Sequence, residues 1–182
     1  MNDAYPQYEY QRITDITVED LRKMGAKAVA IDLDNTTVLD STLHAPGGVR
    51  EWLRDVRFSG FPVIIISNTY PIRAWMLSKK FGKLPWISMA DKPHTSAFFK
   101  AAKMLNVDVS ELAMIGDRLF TDVMGANKAG AISVKVEPFE PEKLFAEKFR
   151  KERKKEHEYL EKRRKERNAE NRSFIRNTSR QK

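Results

Sequence analysis

The sequence predicts a three-layer α/β domain in which helices cover both faces of a parallel sheet. Short apolar runs alternate with helical patterns along the chain, and strands that alternate with helices form parallel sheets through right-handed crossovers. The run Val63-Ile64-Ile65-Ile66 has no polar member, as expected of a strand buried on both faces. A basic segment after residue 141 differs in composition, and it predicts a C-terminal helix outside this domain.

The predicted elements follow one another at spacings typical of this architecture. An extended lead-in over residues 1–16 precedes a short helix that Thr17 caps and Gly25 follows, with Asp20 at its third position. Strands are predicted at 27–32, 61–66, 86–90, 111–115 and 131–136. Between them, the helices are predicted to contain residues 49–56, 71–81, 98–105 and 121–129.

Length and composition limit the class of protein. A chain of 182 residues is long enough for one well-buried core, and a second full domain is not expected. The absence of cysteine excludes disulfide bonds and fits a reducing compartment. No stretch approaches the roughly 18 consecutive apolar residues of a membrane span, and residues 1–10 lack the pattern of a secretory signal. We therefore expect a cytoplasmic protein, with peripheral contact at the inner face of the membrane as an option.

The positive charge is concentrated in the C-terminal part of the chain. Residues 143–182 hold 16 Lys and Arg against 7 Glu, a balance of +9, which leaves residues 1–142 at −1. With the proline-rich segment Glu137–Pro141 as a boundary, we predict a domain of residues 1–141 and a tail of residues 142–182. Glu and Lys spaced four apart favour an exposed helix there, while residues 171–182 are predicted to be disordered. Such a tail favours an anionic partner, lipid or RNA, although a solvated helix has the same composition.

Two carboxylates directly follow the first predicted strand. Asp32 and Asp34 are separated by one residue, at the strand end where open parallel sheets place their ligands. Taken alone, this Asp-x-Asp-x-Thr pattern is a weak signal, because a carboxylate at a strand end is often a turn residue or a helix cap. It gains weight from the residues that follow the other strands.

Polar side chains suited to phosphoryl transfer follow three further strands, namely Ser67 and Asn68, then Lys92, then Asp117 and Asp122. A carboxylate can accept a phosphoryl group, and a second acid can protonate the leaving oxygen. Carboxylates can also hold Mg²⁺, while lysine and hydroxyl groups bind the phosphate oxygens. The sequence therefore favours a magnesium-dependent phosphoryl-transfer site at the carboxyl edge of the sheet.

These residues resemble, in order, the four motifs of the haloacid dehalogenase (HAD) superfamily. The motifs correspond to Asp32-Leu33-Asp34-Asn35-Thr36, to Ser67 after an apolar strand, to Lys92, and to Gly116-Asp117 through Asp122. The resemblance spans about residues 13–137 and implies a HAD-like Rossmannoid sheet.

The resemblance also implies catalytic and metal-binding roles. Asp32 is the expected nucleophile and an Mg²⁺ ligand, and Asp34 is the expected general acid and base, which also binds the metal through its carbonyl. Lys92 is expected to stabilise the nucleophile and the transferring group. Asp117 is expected to bind Mg²⁺, and Asp122 to support that site. The alternatives are an exposed loop position for Lys92 and a place in the first turn of a helix for Asp122.

Other side chains near the strand ends are candidates for substrate binding. Ser67, Asn68 and Arg118 are predicted to bind the substrate, and Arg73 has a similar position. Ser67 is also suited to capping the helix that follows it. His94 lies next to the predicted active lysine, but we expect it to be a loop residue.

Within the superfamily, the closer likeness is to the capless YqeG-type group, which includes phosphatidylglycerophosphate phosphatases. ITDITVEDLRKMGAKAVAIDLDNT and GDRLFTDVMGANKAG carry that likeness. Three positions depart from the group's pattern, namely Thr37, Thr69 and His94. The likeness implies an anionic lipid substrate, most specifically phosphatidylglycerophosphate. The alternatives are a phosphatase of soluble sugar or nucleotide phosphates, and a phosphatase-like protein that its tail attaches to RNA or a ribosomal complex.

The spacing between motifs leaves no room for a cap domain above the site. About ten residues separate Thr36 from the helix near Gly47, and one helix and one strand occupy the interval from Ser67 to Lys92. An uncapped site stays open to large substrates and depends on the substrate or another surface to exclude water. A lipid in a bilayer meets that condition.

Overall fold

The computed structural model describes residues 3–140 and 147–179. The chain divides into two compact units, Met1–Pro141 and Glu142–Lys182. The domain boundary predicted between residues 141 and 142 lies outside the described residues. The strands are Tyr8–Tyr10 (β1), Ala28–Ile31 (β2), Val63–Ile66 (β3), Trp86–Ile87 (β4), Leu112–Gly116 (β5) and Ile132–Val136 (β6). The helices are Val18–Lys23 (α1), Val49–Phe58 (α2), Pro71–Lys80 (α3), Ser96–Leu105 (α4), Met124–Ala129 (α5) and Glu147–Ser179 (α6).

The six strands form one parallel sheet in the order β1-β6-β5-β2-β3-β4. This order places β2 between β5 and β3, with β4 next to β3. The four strands that precede the predicted site residues are therefore neighbours. Because all of them run in the same direction, their carboxyl ends meet at one edge of the sheet.

The two faces of the sheet are covered by different helices, which confirms the three-layer architecture. Alternate residues of β2 point to opposite faces, so Val29 and Ile31 belong to one apolar core while Ala28 and Ala30 belong to the other. The first core includes buried residues of α1, α2 and α3, and the second includes those of α4 and α5. On α2 the buried residues are those of the predicted apolar stripe, Val49, Trp52, Leu53 and Val56.

The N-terminal lead-in contributes a strand that the sequence did not predict. Tyr8–Tyr10 pairs in parallel with β6 and becomes the edge of the sheet. Asn127 holds the preceding segment in place, since its amide donates hydrogen bonds to the carbonyls of Asp3 (2.8 Å) and Tyr5 (2.9 Å). A strand of three residues is too short to show an alternation of apolar and polar side chains, so this strand is defined by its pairing with β6.

The short helix α1 begins and ends as predicted. The Thr17 hydroxyl accepts a hydrogen bond from the Asp20 amide at 3.0 Å, and the Asp20 carboxylate accepts one from the Thr17 amide at 3.0 Å. These reciprocal bonds form a capping box that satisfies two amides of the first turn. Gly25 follows the helix with φ of 79°, a conformation that favours glycine.

No cap domain is present in the described residues. The segment between β2 and α2 consists of short turns, and the segment between β3 and β4 is occupied by α3. The carboxyl edge of the sheet is thus not covered by an inserted domain.

The described part of the second unit is the single helix α6. It extends to Ser179, so the prediction that residues 171–182 are disordered is wrong for 171–179, and the remaining three residues lie outside the described part. Once a helix has formed, each added residue gains a backbone hydrogen bond, so the helix can continue into a polar sequence that lacks an apolar face. Glu147 and Lys151, which are four positions apart, form an ion pair at 2.7 Å, as the spacing of Glu and Lys predicted. Within the described residues, no helix combines the length and the apolar character that crossing a bilayer requires.

Candidate active site

The chain turns sharply after β2, and this turn separates the two aspartates of the first motif. The Leu33 carbonyl accepts hydrogen bonds from the amides of Thr37 (2.9 Å) and Val38 (3.0 Å), and Asn35 has φ of 55°. Asp32 is buried at the strand end, whereas Asp34 is half-buried and lies in the turn. The Thr37 hydroxyl donates to the carbonyl of Asp32 at 3.0 Å, so this departure from the family pattern supports the turn.

Lys92 lies at the centre of the site. Its Nζ is 2.7 Å from Oδ1 of Asp32 and 2.5 Å from Oδ1 of Asp122, and it donates to the Ile66 carbonyl at 2.8 Å. The lysine side chain is 2% exposed. It is therefore a buried cation that donates hydrogen bonds to Asp32 and Ile66 and forms an ion pair with Asp122, and not an exposed loop residue.

Asn68 orients the backbone of Lys92. Its Oδ1 accepts a hydrogen bond from the Lys92 amide at 2.9 Å, and its Nδ2 donates to the Lys92 carbonyl at 3.2 Å. Both ends of the Asn68 amide are thus engaged by one residue. Asn68 thus positions the backbone of the lysine, and its predicted contact with the substrate stays a prediction.

Three buried aspartates converge at the carboxyl edge of the sheet. Each of Asp32, Asp117 and Asp122 offers a carboxylate oxygen, and these oxygens lie within 4.8 Å of one another. The Thr36 hydroxyl donates to Oδ1 of Asp117 at 3.3 Å. The ammonium group of Lys92 contacts two of these carboxylates, those of Asp32 and Asp122, and a single positive charge does not balance two ionised carboxylates. An all-oxygen, net negative cluster suits a hard divalent cation such as Mg²⁺.

Burial and charge set the ionisation of this cluster. Burial raises the pKa of Asp32 to about 6, with Lys92 opposing the shift and the carboxylates of Asp122 and Asp34 adding to it. Burial also raises the pKa of Asp122, again against Lys92. For Lys92, burial lowers the pKa, but the carboxylates of Asp122 and Asp32 outweigh it and hold the pKa above its ordinary value. Lys92 is therefore a cation at neutral pH, where Asp32 is mainly ionised.

A close approach between Gly116 and Asp122 shapes the metal-binding side of the site. A Cβ atom on Gly116 would lie 2.3 Å from Oδ2 of Asp122, so only glycine leaves space for that carboxylate. After β5, the π-helical turn Leu119–Val123 returns Asp122 to the strand end, and the Arg118 amide donates to Oδ2 of Asp122 at 3.1 Å. Asp122 thus lies in a helical turn, which was the alternative to a role in the site, but its carboxylate also faces Lys92.

The carboxylate of Asp34 lies apart from the three aspartates and is paired with Arg73. The two guanidinium nitrogens of Arg73 are each 2.7 Å from one oxygen of Asp34. The Ser41 amide also donates to Oδ1 of Asp34, at 2.8 Å. The sequence placed Arg73 near the strand ends, but it gave no indication of this partner, which lies 39 positions away.

The remaining candidates differ in their surroundings. Ser67 is buried, and its Oγ accepts a hydrogen bond from the Thr69 amide at 3.3 Å, which leaves the hydroxyl proton able to donate to a phosphate oxygen. Arg118 is half-buried and precedes the π-helical turn. His94 is exposed, with its Nε2 3.7 Å from Oδ2 of the equally exposed Asp91.

Comparisons with known proteins agree with this geometry. A family model of haloacid dehalogenase-like hydrolases matches residues 18–130. The protein named probable phosphatase YqeG of Bacillus subtilis is 31% identical over 147 residues, which cover 81% of this chain and 85% of that protein. The glyceraldehyde 3-phosphate phosphatase of Pyrococcus abyssi is 34% identical over 98 residues, which cover 48% of this chain and 40% of that protein.

A solved structure supports the fold. An uncharacterized protein from Listeria monocytogenes superposes with a TM-score of 0.52 at 21% identity, and the superposition covers 65% of this chain and 84% of that one. The family match and the long alignment with YqeG show the family. The chain belongs to the haloacid dehalogenase-like hydrolases, and within that family it is a phosphatase.

Proposed function

We propose that the enzyme is a Mg²⁺-dependent phosphomonoesterase that forms an aspartyl-phosphate on Asp32. The observation that carries the proposal is the contact of 2.7 Å between Oδ1 of Asp32 and Nζ of Lys92, in a buried site where Asp32 ionises near pH 6. An ionised carboxylate is a competent nucleophile, and the lysine cation beside it can bind an oxygen of the transferring phosphoryl group.

The proposed reaction has two steps. An oxygen of Asp32 attacks phosphorus while the bond from phosphorus to the leaving oxygen breaks, and Asp34, which starts the cycle protonated, donates its proton to that oxygen. Water then attacks the phosphorus of the aspartyl-phosphate and gives a proton to the Asp34 carboxylate, which releases inorganic phosphate and restores the ionised Asp32 and the protonated Asp34. Ser67 and Lys92 bind the phosphate oxygens, and Arg118 remains a candidate for the same role.

The three buried aspartates fit a divalent cation. The carboxylates of Asp32, Asp117 and Asp122, together with the carbonyl of Asp34, would hold Mg²⁺. The cation supplies positive charge against the negative charge of the phosphate ester.

We further propose that the substrate is a phosphate monoester on an anionic lipid, most specifically phosphatidylglycerophosphate. The uncapped site supports this proposal, because it admits a large substrate. So do the exposed apolar side chains of Tyr70, Ile72 and Met89, which are 74%, 65% and 63% exposed. The Met89 amide donates to the carbonyl of Thr69 at 2.9 Å, so this apolar rim lies beside the loop that carries Ser67. An apolar rim next to a phosphate site suits an amphiphile at the inner face of a membrane.

A soluble sugar phosphate is the second candidate substrate. It is supported by the relatives named glyceraldehyde 3-phosphate phosphatase, which match this chain over about half its length or less. A soluble substrate makes no use of the apolar rim, which is why we rank it below the lipid.

One set of assays tests both the mechanism and the substrate. Purified enzyme with Mg²⁺ is given phosphatidylglycerophosphate in vesicles, glyceraldehyde 3-phosphate, or p-nitrophenyl phosphate, and released phosphate is measured. We expect the lipid to have the highest kcat/KM and Asp32→Asn to abolish hydrolysis of all three. Hydrolysis by Asp32→Asn at the wild-type rate would refute the mechanism, whereas a preference for glyceraldehyde 3-phosphate would refute only the lipid.

A further inference from the structure

A second cleft lies between α2 and the C-terminal end of α3. Its volume is about 420 Å³, which is within the range of small-molecule sites. It is lined by eight residues, among them Arg50, Arg54, Arg57 and Lys80, and none of the eight belongs to the candidate active site. A ligand bound there would therefore occupy a separate site.

The cleft is strongly positive. Arg50, Arg54 and Arg57 are spaced by four and three residues, so they share one face of α2, where like charges disfavour the helix. None of the eight described residues that line the cleft is acidic. Asp55 lies 3.1 Å from Nε of Arg54, but both side chains are 61% exposed, and such a pair contributes little. Glu51 and Asp55 lie on the same helix, but neither of them lines the cleft, so the described lining carries four cations and no carboxylate.

Part of this positive face is held in position by the fold. Nη1 of Arg57 donates to the carbonyl of Gly82 at 3.4 Å, and Nζ of Lys80 donates to the carbonyl of Leu43. A Cβ on Gly82 would lie 2.7 Å from Nη1 of Arg57, so the absence of a side chain there admits the guanidinium. Bonds to carbonyls orient both cations without neutralising them.

The cleft also has an apolar side. Leu53 and Phe81 are buried and contribute to its wall, while Phe58 is 84% exposed at the C-terminal end of α2. Guanidinium groups bind phosphate through paired hydrogen bonds. We propose that this cleft binds an organic phosphate, with the anionic group on the arginines and an apolar part against Phe58. Such a ligand is either a lipid headgroup in a bilayer or a soluble phosphate ester.

Amide NMR on the full-length protein tests the proposal. The probe is dihexanoyl phosphatidylglycerol, a soluble phosphodiester that a phosphomonoesterase does not consume, and the comparison probes are dihexanoyl phosphatidylcholine and inorganic phosphate. We expect shifts in α2 and at Gly82, and about tenfold weaker binding in Arg50→Gln/Arg54→Gln. The matched control Lys100→Gln/Lys103→Gln removes the same charge from the exposed face of α4 and should leave the affinity unchanged.

The outcomes separate the alternatives. Unchanged affinity in the arginine variant, or an equal loss in the lysine control, would overturn the proposal. Equally tight binding of phosphatidylcholine would exclude recognition by charge, and equally tight binding of inorganic phosphate would exclude the apolar contact. If the wild type and the lysine control cosediment with phosphatidylglycerol vesicles but the arginine variant does not, the result supports a lipid headgroup in a bilayer as the ligand. Specific binding of the soluble lipid without cosedimentation supports a free phosphate ester. Neither result depends on catalysis, so the proposed reaction is tested separately.

Discussion

Arg73 and Asp34 form a bidentate ion pair in which both nitrogen–oxygen distances are 2.7 Å. Arg73 is fixed in turn, because it also donates to the hydroxyl of Thr69 at 3.1 Å and to the carbonyl of Thr42 at 2.6 Å. A planar guanidinium with these partners fixes both the position and the plane of the carboxylate. Asp34, the proposed general acid, is thereby held in one orientation by a residue of α3.

Replacing Arg73 should impair the acid step selectively. We expect Arg73→Lys to lower kcat/KM, which reports the first step, about 10- to 100-fold on an alkyl phosphate, because a poor leaving group requires a well-placed acid. On p-nitrophenyl phosphate, whose leaving group needs no proton, kcat/KM should fall less than about threefold. Steady-state kinetics with both substrates measures the difference, and Arg22→Gln on α1 is the control. An equal loss on both substrates would show that Arg73 acts on the site as a whole.

The raised pKa of Asp32 predicts a pH-dependent cost to stability. This carboxyl titrates at 3.8 in the unfolded chain and at about 6 in the folded protein. Between these values the folded state binds a proton that the unfolded state has lost, so stability falls as pH rises through this range. In metal-free protein, Asp32→Asn should therefore raise the free energy of unfolding by about 1–3 kcal/mol near pH 8, with no gain near pH 4.

Urea denaturation in EDTA at both pH values checks this prediction. Added Mg²⁺ should then stabilise the wild type more than Asp32→Asn, because the variant lacks one of the proposed ligands. A gain of the same size at both pH values would contradict the assignment of the effect to ionisation of Asp32.

Gly116→Ala should disrupt the metal-binding side of the site. The new Cβ would lie 2.3 Å from Oδ2 of Asp122, so the carboxylate must move and lose its bond from the Arg118 amide. We expect a loss of about 1–3 kcal/mol in stability and weaker stabilisation by Mg²⁺. Thermal denaturation with and without Mg²⁺ measures both. Gly47→Ala is the matched control, since its Cβ would meet nothing within 4 Å.

Truncation after Pro141 tests the role of the basic tail. Residues 1–141 contain both apolar cores of the sheet, so the truncated domain should fold and hydrolyse p-nitrophenyl phosphate at the wild-type rate. If the tail holds the enzyme at an anionic membrane, vesicle hydrolysis should fall and lose its sensitivity to salt, because each basic residue near such a surface contributes about 1 kcal/mol.

The same truncation tests the alternative partner. Salt-sensitive RNA binding by the full chain that disappears on truncation would support attachment to RNA. Vesicle hydrolysis that persists unchanged, together with unchanged RNA binding, would leave the tail without a part in either function.

The sequence determined most of the elements and the composition of the site, because both are local properties. The capping box of Thr17 and Asp20 and the buried stripe of α2 follow from spacings within a few residues. The motifs after β2, β3, β4 and β5 could likewise be placed at strand ends, and parallel strands bring those ends to one edge. Short intervals between motifs also predicted the missing cap.

Only the tertiary structure decided which side chains meet. Lys92 contacts Asp32 from 60 positions away because the strand order makes β2, β3 and β4 neighbours. Asn68 binds the backbone of Lys92, and Gly116 leaves space for Asp122. Neither contact could be predicted from a periodic pattern of residues along the chain. The pairing of β1 with β6 is equally non-local. Periodicity specifies which face of an element is buried, whereas contacts between distant residues depend on strand order and on the directions of individual side chains.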